Sequence, residues 1–164
     1  MMKLVDAIEQ LNRDLLPFAK LLGIRFVSAS PECVIAEMKV REDMCTRPAI
    51  LHGGAMMALA DTLGGCATSL NLRDGAMTTT IESKTNFIGP AMVGTTVRAE
   101  CAAIHRGRRT MVWQTRVASD NGKLLAIVTQ NANGAGERAE KMIANISHGM
   151  EEDDEALLLS AQRV

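Results

Sequence analysis

The sequence predicts an α+β fold in which an antiparallel sheet wraps one long central helix. Three observations carry that expectation. The stretch from Gly53 to Leu72 is the best long helix, opened by Gly-Gly and followed by Asn71, Asp74 and Gly75. Four strand-like segments come after it at even spacing, and two shorter ones come before it.

In chain order, Leu4, Ile8, Leu11, Leu15 and Leu16 recur at helical spacing until Pro17, which should end or kink that helix. FAKLLG forms a second short helical turn that closes at Gly23. IRFVSAS and CVIAEMKV then read as strands on either side of Pro31, because Val34, Ala36, Met38 and Val40 alternate with other residues. REDMCTRPAI reads as a loop, since charge and Pro48 interrupt both periods. Beyond the long helix, TTTIESKTNFI ends at Gly89-Pro90, TTVRAECAAIH at Arg106-Gly107, RTMVWQTRVAS at Asp120-Asn121-Gly122 and KLLAIVTQNAN at Gly134. Such spacing favours a meander around the helix. Residues 1–136 should form the domain with its N-terminal helix, and residues 137–164, with the EEDDE run at 151–155, an acidic and partly helical tail.

Composition narrows the function. A net charge of −1 gives no general attraction to nucleic acid or anionic membrane. With one Trp, three Phe and no Tyr, the chain lacks the aromatic platforms of single-strand binders. Cys33, Cys45, Cys66 and Cys101 lie far apart with no C-x-x-C pair, so no metal site is expected. Charged residues run through the N-terminal helix, which therefore reads as neither signal peptide nor membrane span. The expected location is the cytoplasm.

The awkward residue is Asp61, a carboxylate inside an apolar helix. Met57, Ala58, Gly64 and Gly65 lie one turn away, and Gly54 and Thr68 two turns away. Small residues leave space against the carboxylate, and each glycine costs a helix about 1 kcal/mol against alanine. One reading places Asp61 in solvent at the helix edge or against an Arg; the other gives it chemistry to do. The helix start favours chemistry. His52-Gly53-Gly54 leads in from a loop, and glycines let a ligand approach unsatisfied N–H groups at the positive end of the helix dipole. Donors at Gly53 or Gly54 and a base at Asp61 look like the halves of an acyl-transfer site. Seven or eight residues of helix span roughly 10–12 Å, too far for both to reach one carbonyl. The halves would then come from two chains paired about a two-fold axis.

At these residues the sequence resembles the hotdog-fold thioesterases of the PaaI-like (phenylacetic acid degradation) group. The resemblance rests on His52-Gly53-Gly54 running into Leu59-Ala60-Asp61, then Asn86-Phe87-Ile88-Gly89-Pro90-Ala91, Gly94, His105 to Arg109 and Gly122 to Ala126. It covers about residues 22–134. It implies hydrolysis of acyl-CoA thioesters without metal or cofactor, coenzyme A being part of the substrate. It also implies dimers whose sheets join edge to edge, often paired into tetramers. By the same resemblance Asp61 acts as nucleophile or as general base on water, the Gly53 N–H polarises the carbonyl, and His52 shapes that end of the site. Many members carry Asn or Gln where this chain has Thr46. Thr80 is the nearest match to a water-positioning hydroxyl, with Thr78 and Thr79 close by. Met57, Gly65, Thr68 and Phe87 are candidates to line the acyl pocket. Arg106, Arg108 and Arg109 read equally as phosphate contacts for coenzyme A or as a solvated hairpin end.

One carboxylate with an oxyanion hole can suffice for a thioester, since the thiolate leaves easily. No G-x-S-x-G elbow is present. Two alternatives stay open: a hotdog hydratase or dehydratase, for which no His pairs obviously with Asp61, and a non-catalytic acyl-CoA-binding module. The acyl group is expected to be aromatic or medium-chain.

Overall fold

The structure is a computed structural model that describes residues 4–73 and 76–135; the expected tail lies outside them. Two short helices, α1 (Leu4–Arg13) and α2 (Pro17–Leu22), lead into the strands β1 (Ile24–Ala29) and β2 (Cys33–Lys39). A 3-10 turn over Glu42–Met44 and the two-residue strands β3 (Cys45–Thr46) and β4 (Ile50–Leu51) occupy the expected loop. Helix α3 (Gly53–Ser69) follows, then β5 (Met77–Phe87), β6 (Thr96–Arg106), β7 (Thr110–Ser119) and β8 (Leu124–Ala135). Pro17 stands at the start of α2, where its missing N–H does no harm, and Gly23 closes that helix at a φ of 69°.

The large sheet is antiparallel with strand order β1-β2-β6-β7-β8-β5, a hotdog fold around α3. β6, β7 and β8 meander as expected, but β5 does not join them in sequence order. It pairs with β8 at the far edge, while β6 pairs with β2. The link from β5 to β6 makes this crossing possible. Ile88 and Gly89 N–H groups both donate to Leu125 O, Val93 N–H donates to Ala49 O, and Gly94 N–H to Val40 O. Gly94 makes the last turn at a φ of 84°, which favours glycine.

Burial explains why α3 sits in the middle. Met56, Leu59, Ala60, Leu63, Gly64, Ala67 and Thr68 recur at helical spacing and are all buried. They face the inward residues of the sheet, among them Val34, Ala36, Met38, Val97, Ala99, Trp113 and Val128. Each fully buried Leu or Val contributes about 1.5–3 kcal/mol of transfer free energy, so this contact dominates the fold. The opposite side of α3 stays open, and Asp61 lies on it.

The two edges of the sheet differ. Along β1, Asn12 of α1 accepts the Phe26 N–H at 2.8 Å and donates to Phe26 O at 2.9 Å, so a side chain covers part of that edge. β5 pairs only with β8 among the described residues, and exposed Ile81 and Phe87 lie along it. No helix among the described residues is long and apolar enough to cross a membrane.

Candidate active site

His52 begins the site as the N-cap of α3. Its Nδ1 accepts the Gly54 N–H at 2.9 Å, which satisfies one of the free donors of the first turn. The Gly54 N–H is thereby committed to the cap. The Gly53 N–H has no acceptor among the described residues. Phe87 of β5 packs against Gly53 so closely that a Cβ there would lie 2.9 Å from the ring. This end of α3 thus offers one aligned donor beside an aromatic ring.

Two turns further on, Asp61 is exposed at the rim of the helix. Thr80 Oγ1 donates to Asp61 Oδ1 at 2.9 Å, and Gln130 Nε2 donates to the same oxygen at 3.0 Å. Gln130 Nε2 also donates to Thr80 Oγ1 at 3.0 Å, closing a triangle. Oδ2 has no donor among the described residues. Thr80 is therefore the threonine at the site, whereas Thr78 donates to Asn133 O. A bulge in β5 brings Thr80 there. Thr80 opposes Ala132 and Ser83 opposes Gln130, so both face α3 although three residues apart, with Ile81 as the extra residue between.

Gln130 is the residue that the sequence analysis missed. It lies 1% exposed on β8, and its Oε1 is buried without a partner among the described residues. An orphaned carbonyl of this kind costs about 1–3 kcal/mol. Gly64 makes room for it, since a Cβ at that position would come within 2.2 Å of Oε1. A signal was available in the sequence: Gln130 occupies the inward phase of β8 between Val128 and Ala132, where a polar side chain is out of place.

The remaining candidates scatter. Gly65 has open space around its Cα, with nothing among the described residues within 4 Å of an added Cβ. Thr68 is wholly buried, donates to Gly64 O at 2.8 Å and accepts from Trp113 Nε1 at 2.9 Å. Thr46 is exposed on β3, where its carbonyl accepts the Ala49 N–H. Arg106 bonds Glu32 at 3.0 Å and Asn71 at 3.1 Å, while Arg108 and Arg109 are exposed in the β6–β7 turn. Arg106 opposes Met111, Met111 opposes Ala132 and Ala132 opposes Thr80. The arginines therefore lie at the same end of the sheet as Asp61 but about 15 Å across it, at about 4.8 Å per strand.

Other chemistry is less well supplied. Burial pushes the Cys66 thiol up to about 12, helped by the neighbouring Cys101. Cys101 is likewise pushed up to about 11 by burial, although Thr115 works the other way. Neither is a thiolate nucleophile at neutral pH. An open depression of about 300 Å³ beside the start of α3 is lined by Phe18, Leu22, Met44, Cys45, His52 and Ala55, on the His52 side and away from Asp61. Among the described residues no three His, Cys, Asp or Glu side chains gather to hold a metal.

Residues 49–126 match the Thioesterase superfamily. Over 118 residues the chain is 36% identical to protein PA1618 of Pseudomonas aeruginosa, spanning 71% of this chain and 81% of that one. A mutant of that protein, solved as a thioesterase, superposes with a TM-score of 0.72 at 33% identity, covering 77% of this chain and 91% of that chain. PaaI of the Escherichia coli phenylacetic acid degradation operon shares the fold, with a TM-score of 0.71 at 24% identity over 79% of this chain and 92% of its own. So does a hypothetical thioesterase of Streptococcus pneumoniae solved with coenzyme A, with a TM-score of 0.64 at 21% identity over 70% and 88%.

Proposed function

The chain belongs to the thioesterase superfamily and is a thioester hydrolase, and from that premise we propose that it cleaves acyl-CoA thioesters with aromatic or medium-chain acyl groups, using Asp61 as the reacting carboxylate. The observation that carries this reading is the Asp61 triangle: an exposed carboxylate held through one oxygen by Thr80 and Gln130. Coenzyme A as the thiol carrier is supported by the relative solved with it.

In the reaction, the Gly53 N–H donates to the thioester oxygen as negative charge develops there. Asp61 either attacks the carbonyl carbon or takes the proton from a water that does so. In the general-base route the tetrahedral intermediate expels the thiolate as the C–S bond breaks, the acid is released and the thiolate takes up the proton that Asp61 drew from the water. In the nucleophilic route C–S cleavage leaves an acyl–Asp61 anhydride, which a water then hydrolyses to the free acid, restoring the carboxylate while the thiolate is protonated. His52 acts indirectly, by fixing the Gly54 N–H and the turn that aims Gly53. In this proposal the exposed Arg108 and Arg109 meet phosphate oxygens of a long substrate lying across the sheet end.

Gly53 and Asp61 lie eight residues apart on one helix, about 12 Å at 1.5 Å per residue, so one thioester needs them from two chains. The working form in this proposal is a homodimer, paired further into a tetramer. Exposed Met57, Ile81, Phe87, Ile88, Met92 and Val93 gather around β5 and the start of α3 and supply an apolar surface for that pairing.

Thiol release from benzoyl-CoA and hexanoyl-CoA tests the proposal, with wild type and Asp61→Asn compared at equal folded concentration. The expected result is turnover by wild type and a loss of about a hundredfold or more in the variant, with substrate binding retained. Saturable binding without turnover by wild type would instead point to a binding module.

A further inference from the structure

We propose that Gln130 is a positioning residue that holds one oxygen of Asp61 and thereby leaves the other facing the thioester. The inference rests on the reading of Asp61 as the reacting carboxylate and adds a residue that acts through it.

Gln130 Nε2 donates to both Asp61 Oδ1 and Thr80 Oγ1. The single Thr80 hydroxyl proton goes to Asp61 Oδ1 as well. Oδ1 thus receives two donors and Oδ2 receives none among the described residues. A carboxylate free to rotate offers either oxygen in many directions; this one offers Oδ2 in one. Effective positioning of this sort is what separates a reactive group from a merely nearby one.

The surroundings fit a functional amide better than a packing one. Gln130 sits in the inward phase of β8 between Val128 and Ala132, where an apolar side chain would satisfy the core. It leaves Oε1 buried and unpartnered, and it requires a glycine in mid-helix at Gly64. Both features weaken the fold, and both serve the same amide. Turning the amide over would place Oε1 against the Asp61 carboxylate, so the orientation is set by Asp61 and Thr80. The bulge at Ile81 completes the set by bringing Thr80 onto the face that Gln130 shares with Ser83.

The experiment compares wild type, Gln130→Met, Gly64→Ala, the double variant and Asp61→Asn. Each is assayed for kcat and KM on benzoyl-CoA and hexanoyl-CoA and for its melting temperature. Methionine keeps the length of the side chain without its amide, and the added Cβ at position 64 displaces the amide without removing it. The expected result is a fall in kcat of about ten- to a hundredfold for Gln130→Met and for Gly64→Ala, with KM within about twofold. Gln130→Met should melt no lower than wild type, since it removes an orphaned buried carbonyl. In the double variant the two losses should not multiply, because the same contact is lost twice. Wild-type kcat in Gln130→Met, with Asp61→Asn inactive, would overturn the positioning role alone. Full activity of Asp61→Asn would overturn the reading beneath it. A kcat loss that simply tracks lowered melting would assign Gln130 to structure and overturn the proposal. If Gln130→Met does not fold, Gly64→Ala carries the same test.

Discussion

Thr80 donates its one hydroxyl proton to Asp61 and accepts from Gln130, so it is the joint of the triangle. Thr80→Val keeps the shape and removes both contacts. It should lower kcat by about tenfold with little change in KM, as steady-state kinetics on the preferred thioester would register. An unchanged kcat would make the hydroxyl incidental. At this scale the sequence was partly legible. Asp61 stood out because a charge in an apolar helix is costly, and Gly64 stood out beside it for the same reason. What could not be read was the object that Gly64 makes room for, because Gln130 is 69 residues away along the chain. Thr80 could not be separated from Thr78 and Thr79 either. Strict alternation would put Thr80 on the face of Glu82 and Lys84, and only the bulge at Ile81 moves it to the other. Thr68 shares helical spacing with Asp61, yet it falls on the side of α3 that turns into the core, a difference that spacing alone does not carry.

Helix α3 is the element on which the fold and the site both depend, and its two faces should respond differently to truncation. Leu59→Ala, on the wholly buried side, should destabilise the protein by about 2–5 kcal/mol. Ser69→Ala, at an exposed position of the same helix, should cost well under about 1 kcal/mol. Urea denaturation at matched m-values would compare them, and equal losses would contradict the helix orientation. Element limits were legible to within a residue or so along most strands, since alternation marks the body of a strand and turn formers mark its ends. Lateral order was not. Nothing in the alternation of β5 says that its neighbour is β8 rather than β6, because pairing depends on where the Ile88–Thr95 link carries the chain. The 3-10 turn and the small β3–β4 ribbon were also hidden in a stretch too short for any period to show.

For the whole molecule, the separation of Gly53 and Asp61 along one helix makes a prediction about two chains. Gly53→Pro removes the N–H of the first helical position, where proline is tolerated, and the extended His52 before it, at φ −62° and ψ 135°, accepts a following proline. The Phe87 side chain must shift to admit the ring. Gly53→Pro and Asp61→Asn should each be inactive alone. Unfolded together and refolded as a mixture, they should recover about a quarter of wild-type activity, since half of the dimers would be mixed and each would hold one intact site. No recovery would place both groups in a single chain. Strand β5 adds a different consequence. If the proposed dimer pairs along this strand, a chain held apart would present 11 residues of strand with unpaired backbone groups on one side, flanked by exposed Ile81 and Phe87. Glu82 and Lys84 are the charges along that edge that oppose indiscriminate stacking of one chain on another. Variants that weaken the proposed association should then be met in the cell as poor yield and insoluble protein rather than as well-behaved single chains, so that an edge completing the enzyme in the proposed dimer would also set its solubility.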